Sequence, residues 1–259
     1  MKNAIEVISE KISKKGNALI MFLGDSITWG EGHCTCEETY CAEIARLFAK
    51  QFQNTKVVRY DGIAQEGAMP LKEYSKPFVV QNGDEGTITV VRSGVGGDTV
   101  RRAINRKTDY TGKFITNEYP DIFIMMFGIN DALSEDGSKF VVPEKFFEDY
   151  KELYGILQDN NKDALKIFMT PTYNDSGDSE KSHLEPYVEK VKEIAQITDS
   201  QCIDTHKLWM DHLEVGSENY GQRDWLSGVV GDACHFSPEG SRSTARFIFS
   251  ELTKLEEEG

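Results

Sequence analysis

The stretch Ala18-Leu19-Ile20-Met21-Phe22-Leu23-Gly24-Asp25-Ser26 decides the fold class. Its first six residues are all apolar, with no alternation of polar and apolar positions. That is the pattern of a strand covered on both faces, as in a parallel sheet held between helices. The run breaks at Gly24-Asp25-Ser26, and a helix is predicted at 38–51, with Ile44, Leu47 and Phe48 on its inner stripe. Working outward, further strand candidates lie at 56–60, 87–92, 122–127, 165–169 and 201–203. Helical patterns cover 99–106, 143–157, 180–197 and 238–255. Ser237-Pro238 opens the last of these with a hydroxyl cap and a proline at the first helical position. Near the start, Ile5, Ile8 and Ile12 share one helical face. Short apolar runs alternating with helical patterns imply an α/β fold with a mainly parallel sheet.

One segment breaks the alternation. Residues 61–85 hold Gly62, Gly67, Pro70, Pro77, Gly83 and the short run Pro77-Phe78-Val79-Val80. We read this as an insertion carrying a hairpin at the sheet edge, either a wall of a substrate pocket or a packing decoration. Nothing else resembles a linker or a repeat, so residues 1–259 are expected to form a single domain.

Composition removes several classes of function. The 27 aromatic residues (14 Phe, 10 Tyr and 3 Trp) are spread along the chain, which argues against disorder. The net charge of −14 repels phosphate backbones and anionic bilayers, so no nucleic-acid partner is expected. No apolar run approaches the length of a membrane span, and no lysine-rich amphipathic helix is available to dock on lipid, so no stable membrane association is expected either. The first residues lack the apolar core of a signal peptide. A cytoplasmic location is the expectation, with secretion left open if a leader has been removed. Five cysteines, an odd number, do not suggest a disulfide framework. His33-Cys34-Thr35-Cys36, with Cys41 four residues beyond, lacks the paired spacing of zinc sites. Reduced thiols, no metal and no cofactor are expected.

Ligands of parallel α/β sheets bind at the carboxyl ends of the strands, so the polar residues that follow strands are the ones to inspect. Four places qualify: Gly24-Asp25-Ser26, Gly94-Val95-Gly96-Gly97-Asp98-Thr99, Gly128-Ile129-Asn130-Asp131, and Asp232-Ala233-Cys234-His235 before the final helix. Any one could be an ordinary turn or cap. Together they form a kit for acyl transfer. A serine hydroxyl needs a base to take its proton, and an imidazole needs a carboxylate to fix its tautomer. The oxyanion that results needs preplaced donors, which the backbone N–H of Ser26, a backbone N–H of the glycine loop and the Asn130 amide could supply.

These four segments, in this order, resemble the four signature blocks of the GDSL, or SGNH, hydrolase family, and they span positions 24 to 235. The resemblance implies a three-layer α/β/α, flavodoxin-like fold with a mainly parallel five-stranded sheet and an inserted hairpin. It also implies a metal-free serine esterase working through an acyl-enzyme. Ser26 is the implied nucleophile, with Asp232 and His235 completing the catalytic set. Ser26, Gly97 and Asn130 are the implied oxyanion donors. Two positions depart from the family pattern: Arg92 stands where many members have asparagine, and Ile129 where glycine is frequent. Asp25 is expected to support the nucleophile turn structurally.

Trp29, His33 and Trp225 are candidates for the substrate pocket. His183, His206 and His212 read as surface or capping residues, and Cys234 needs no role. The family includes carbohydrate acetylesterases, lipases, lysophospholipases and thioesterases. The polar insertion, with Tyr60, Tyr74, Asp84 and Glu85, favours a small-molecule or glycan ester as substrate. A lipid or thioester hydrolase is the nearest alternative. An alternative of another class is a phosphate- or flavin-binding module, with the glycine loop at a helix start as the anion cradle.

Overall fold

A computed structural model describes residues 2–32, 34–63, 73–106, 118–132, 140–174, 184–214, 224–228 and 234–254. The apolar run forms strand β1 (Asn17–Gly24), buried along all but its first residue. It lies between two parallel neighbours, β5 (Thr87–Gly94) and β6 (Ile122–Met126). Beyond β5 lies β2 (Lys56–Ile63), and beyond β6 lie β7 (Leu165–Met169) and β8 (Cys202–Ile203). Those six strands are parallel. The strands β3 (Glu73–Tyr74) and β4 (Phe78–Gln81) run antiparallel to β2 at the edge, as the returning arm of a hairpin.

The expected five strands are therefore eight among the described residues. The hairpin strands join the sheet by hydrogen bonding to β2. β8, at the strand candidate 201–203, is only two residues long and pairs with β7 through Phe168 and Met169.

The helices cover both faces. The group on one side is α1 (Ala4–Ser13), α3 (Tyr40–Gln51) and α9 (Pro238–Thr253), with α8 (Thr205–Glu214) against α9. The other group is α4 (Val100–Asn105), α6 (Pro143–Asn160) and α7 (Glu185–Ile197). Two single-turn helices, α2 (Ser26–Trp29) and α5 (Ile129–Ala132), follow β1 and β6 directly. Local chemistry sets the helix starts. Asn3 and Glu6 form a reciprocal capping box on α1, Thr39 caps α3 through the Ala42 N–H, and Ser237 caps α9 through the Gly240 N–H. No helix among the described residues is long and apolar enough to cross a membrane.

Helix α8 was not expected from the sequence. Its inward face is largely polar: Thr205 donates to the Thr170 carbonyl, and His206 Nδ1 pairs with the Thr172 carbonyl at 2.6 Å. A reading of apolar period gives no weight to side chains buried through hydrogen bonds.

Register places the site. Gly24 pairs with Gly94 on one side and with Met126 on the other, so the three central strands end flush. The chain builds toward β2 after β1 and toward β8 after β6, and the crevice at this reversal is where such sheets bind ligands. Phe22, on the central strand, is fully buried with its ring edge-on to Tyr40 at 5.8 Å between centroids. Phe22→Ala should lower unfolding stability by about 3–5 kcal/mol, read from the urea midpoint.

Candidate active site

The nucleophile turn is built from the end of β1. Asp25 is the N-cap of α2, its carboxylate accepting the Ile27 N–H at 3.0 Å. Ser26 is thus the first residue of a helical turn. That turn lies directly on the end of β5: a Cβ at Gly94 would stand 2.1 Å from the Trp29 nitrogen. Only glycine at position 94 lets α2 sit so low. Thr28 anchors the other side through its hydroxyl, 2.8 Å from that of Tyr40.

The histidine arrives from the opposite end of the chain. Leu226 and Phe236 form an isolated antiparallel bridge. The Ser227 N–H donates to the His235 carbonyl and the Ser237 N–H to the Trp225 carbonyl, both at 2.8 Å. Buried Trp209 of α8 stacks on Phe236 from behind, with ring centroids 4.5 Å apart. These contacts bring His235 Nε2 to 2.8 Å from Ser26 Oγ, across 209 residues of sequence.

The glycine loop after β5 is held by Arg102 of α4 and by Arg106, the residue that caps its end. Arg102 donates to the Gly97 carbonyl at 3.0 Å, and Arg106 pairs with the buried Asp98 carboxylate. Gly97 itself has φ of 70°, a left-handed conformation. Asn130, in α5 at the end of β6, is nearly buried, and its Nδ2 has no hydrogen-bond partner among the described residues. An orphaned buried amide of this kind costs about 1–3 kcal/mol unless a ligand satisfies it.

Three carboxylates lie beneath this surface. Burial pushes Asp25 up to about 7, against the pull of the Ile27 N–H, and the Asp98 carboxylate adds to the rise. Burial likewise raises Asp131 well above the usual carboxylate range, with Asp25 and Asp98 adding to it. Asp131 Oδ1 accepts the Val100 N–H at 3.3 Å, tying α5 to the start of α4, while its Oδ2 has no partner among the described residues. Burial raises Asp98 too, outweighing the attraction of Arg106.

Not every expected residue falls in this cluster. Asp232 and His33 lie outside the described residues, as does His183. Trp29 lies over the glycine loop, with Cε3 3.9 Å from where a Cβ on Gly96 would stand. One face of the Trp225 ring is covered by His212, stacked at 3.6 Å, and its flank meets Trp209. Cys34 hydrogen-bonds to the Phe236 carbonyl, Cys36 accepts from Arg92, Cys41 is in the core, and all five cysteines are free thiols. Arg92, the unusual residue of its block, turns toward the sheet edge. It donates to Asp61 at 2.9 Å, and Asp61 continues through Arg59 to Glu37. Asp61 and Arg92 are register partners on β2 and β5, which explains the pairing. Next to Arg92, Ser93 meets the Tyr74 hydroxyl, so the hairpin stands beside the site.

Sequence reasoning missed Arg102, Arg106, Trp209 and Glu31. Arg102 falls in the last turn of the six-residue α4, where a cation is ordinary, so its partner was not signalled. Glu31 carried no signal in the sequence, yet its Oε2 lies 3.8 Å from His235 Nε2.

The sequence matches the GDSL-like lipase/acylhydrolase family over residues 20–248. No curated protein matches it. Among solved structures, the chain is similar to a lipase/acylhydrolase from Enterococcus faecalis, with 21% identity, a TM-score of 0.59, and coverage of 90% of this chain and 95% of that one. It is similar to Axe2, an acetylxylan esterase from Geobacillus stearothermophilus, at 21% identity and a TM-score of 0.60, covering 93% and 97% of the two chains. The acetyl xylan esterase AlAXEase is similar at 18% identity and a TM-score of 0.61, covering 89% and 98%.

The raised Asp25 carboxyl has a measurable consequence. Between its ordinary value of 3.8 and about 7, the folded protein holds a proton that the unfolded chain has released. Stability should therefore fall as pH rises through this window, by at most about 1.4 kcal/mol per pH unit from this group. Asp25→Asn keeps an acceptor for the Ile27 N–H and should flatten the decline, measured by urea unfolding at several pH values between 4 and 8.

Proposed function

We infer the reaction from one premise: this chain belongs to the GDSL-like lipase/acylhydrolase family and is a carboxylic ester hydrolase. We propose that Ser26 Oγ attacks the ester carbonyl while His235 Nε2 takes its proton. The observation that carries this reading is the 2.8 Å separation of those two atoms. Asp232 is the residue assigned to orient the imidazole and stabilise its charged form. The oxyanion is received by the N–H groups of Ser26 and Gly97 and by the orphaned Asn130 amide. His235 then returns the proton to the leaving alcohol, and the acyl group remains on Ser26. Water, activated by the same imidazole, releases the acid and restores the hydroxyl. Asp25 acts on this sequence only by holding the turn.

The substrate we propose is a small ester, an acetyl group on a carbohydrate or similar polar alcohol. Two structurally similar proteins are described as acetylxylan esterases. The half-buried indole of Trp29 and the carboxylate of Glu31 give the site's rim the mixed apolar and polar character that suits a hydrated alcohol. A second reading, a longer-chain acyl hydrolase, is favoured by exposed Phe140 and Val142. They flank Val141, whose N–H bonds the Asp131 carbonyl next to Asn130.

Ser26→Ala should abolish hydrolysis of p-nitrophenyl acetate with an unchanged circular dichroism spectrum, and full activity would remove Ser26 from the reaction. Asn130→Ala should lower kcat by roughly 10²–10³, the cost of one oxyanion donor. Across p-nitrophenyl esters, the small-ester reading expects the highest kcat/KM at the acetate. A maximum at eight carbons or more would favour the second reading instead.

A further inference from the structure

The tripeptide Gly30-Glu31-Gly32 takes no part in the attack, yet it passes between the glycine loop and His235. Gly30 and Gly32 have φ of 88° and 105°. A side chain at Gly32 would stand 3.0 Å from His235 Cβ and 3.2 Å from Ser227 Cβ, so glycine is what lets the segment run this close to the imidazole. The Glu31 N–H donates to the Ser26 carbonyl at 2.9 Å, tying the segment to the nucleophile turn as well. The Glu31 carboxylate is placed accordingly. Its Oε2 is 3.8 Å from His235 Nε2 and 3.2 Å from where a Cβ on Gly96 would stand. Trp29 lies over the same glycine. The Glu31 side chain is 47% exposed, so it faces the opening of the site.

Nε2 is the atom that hands a proton to the leaving alcohol, so the alcohol oxygen must come within hydrogen-bond distance of it. A carboxylate 3.8 Å from that atom lies beside the leaving alcohol, about one or two bonds beyond its oxygen. An ionised carboxylate accepts hydrogen bonds and donates none. It attracts a hydroxyl and repels an anion.

We propose that Glu31 determines specificity for the alcohol half of the ester. It accepts a hydrogen bond from a hydroxyl on the carbon next to the esterified one, and it excludes alcohols that carry a carboxylate, phosphate or sulfate there. The substrate class is an ester of a neutral polyol or sugar with a free hydroxyl adjacent to the acyl group, and Trp29 supplies an apolar surface for its carbon skeleton. The inference rests on the reading of Ser26 and His235 as the reacting pair and narrows the substrate proposed for it. No bond is made or broken at Glu31.

Three acetates test it: 2-hydroxyethyl acetate, 2-methoxyethyl acetate and acetoxyacetate. They share the acyl group and differ only in what stands beside the ester. Wild-type protein should prefer the hydroxyethyl over the methoxyethyl ester by roughly 10-fold in kcat/KM, the effect of a hydrogen bond to a charged group. Glu31→Ala should bring that ratio close to one. Glu31→Gln keeps an acceptor oxygen without the charge. It should retain most of the hydroxyl preference while raising acetoxyacetate relative to the neutral esters by roughly 10-fold. Ratios unchanged in both variants would overturn the assignment. Each ratio is taken within one protein, so a difference in folding yield does not enter it. None of these esters is a sugar, so the sugar proposal fails separately, if wild-type protein cleaves these esters but not acetylated sugars. Activity surviving in Ser26→Ala would instead remove the reacting pair beside which Glu31 is placed.

Discussion

Gly24 is paired with Gly94 on one side and with Met126 on the other, and the site depends on that alignment. Three strands ending at one level present three loops to the same point in space. From β1 comes Ser26, from β5 the glycine loop, and from β6 the Asn130 amide. A slip of one residue in either pairing would move a loop by about 3.3 Å along the strand, more than a hydrogen bond tolerates. The flush ends also explain Gly94, since α2 rests on it without space for a methyl group.

His235 reaches the same point by a different route. Its segment is not a strand of the main sheet. A two-residue bridge to Leu226, a stacked Trp209 behind Phe236 and the capped start of α9 hold it instead. The base is thus positioned by a short backbone bridge and ring stacking outside the main sheet, the donor loops by strand register within it.

Burial beneath the site disfavours the charged form of its acids. Asp25 and Asp131 are buried and pushed upward, and each is used as an acceptor that fixes a turn: Asp25 for Ile27 and Asp131 for Val100. Asp98 differs in having Arg106 as a partner. At the sheet edge, Arg92 and Arg59 share Asp61 in a buried ion network. Such networks contribute little net stability, because desolvation offsets attraction, but breaking one partner leaves an uncompensated charge. Here the network joins β2 to β5 beneath the hairpin.

The apolar run at 18–23, the alternation of short runs with helical patterns, and the cap at Ser237 were legible because they follow from local chemistry and period. So were the polar clusters after β1, β5 and β6, which hold Ser26, Gly97 and Asn130, since loops at strand ends are where a parallel sheet holds its chemistry, and the one with His235 just before the last helix. Helix α8 was not legible, because Thr205 and His206 are buried through hydrogen bonds that no hydropathy pattern records. The edge strands β3 and β4 were foreseen as a hairpin, but their membership of the sheet depends on partners in β2. Arg102 at the Gly97 carbonyl, Arg92 at Asp61 and Glu31 at His235 were decided by the tertiary structure alone. A charged side chain can pair with whatever the fold brings near, and sequence separation says nothing about that distance. The amino-acid sequence by itself determined which layers form and which residues carry reactive groups. Only folding decided their mutual geometry, because strand register and packing, not sequence order, set the distances over which protons move.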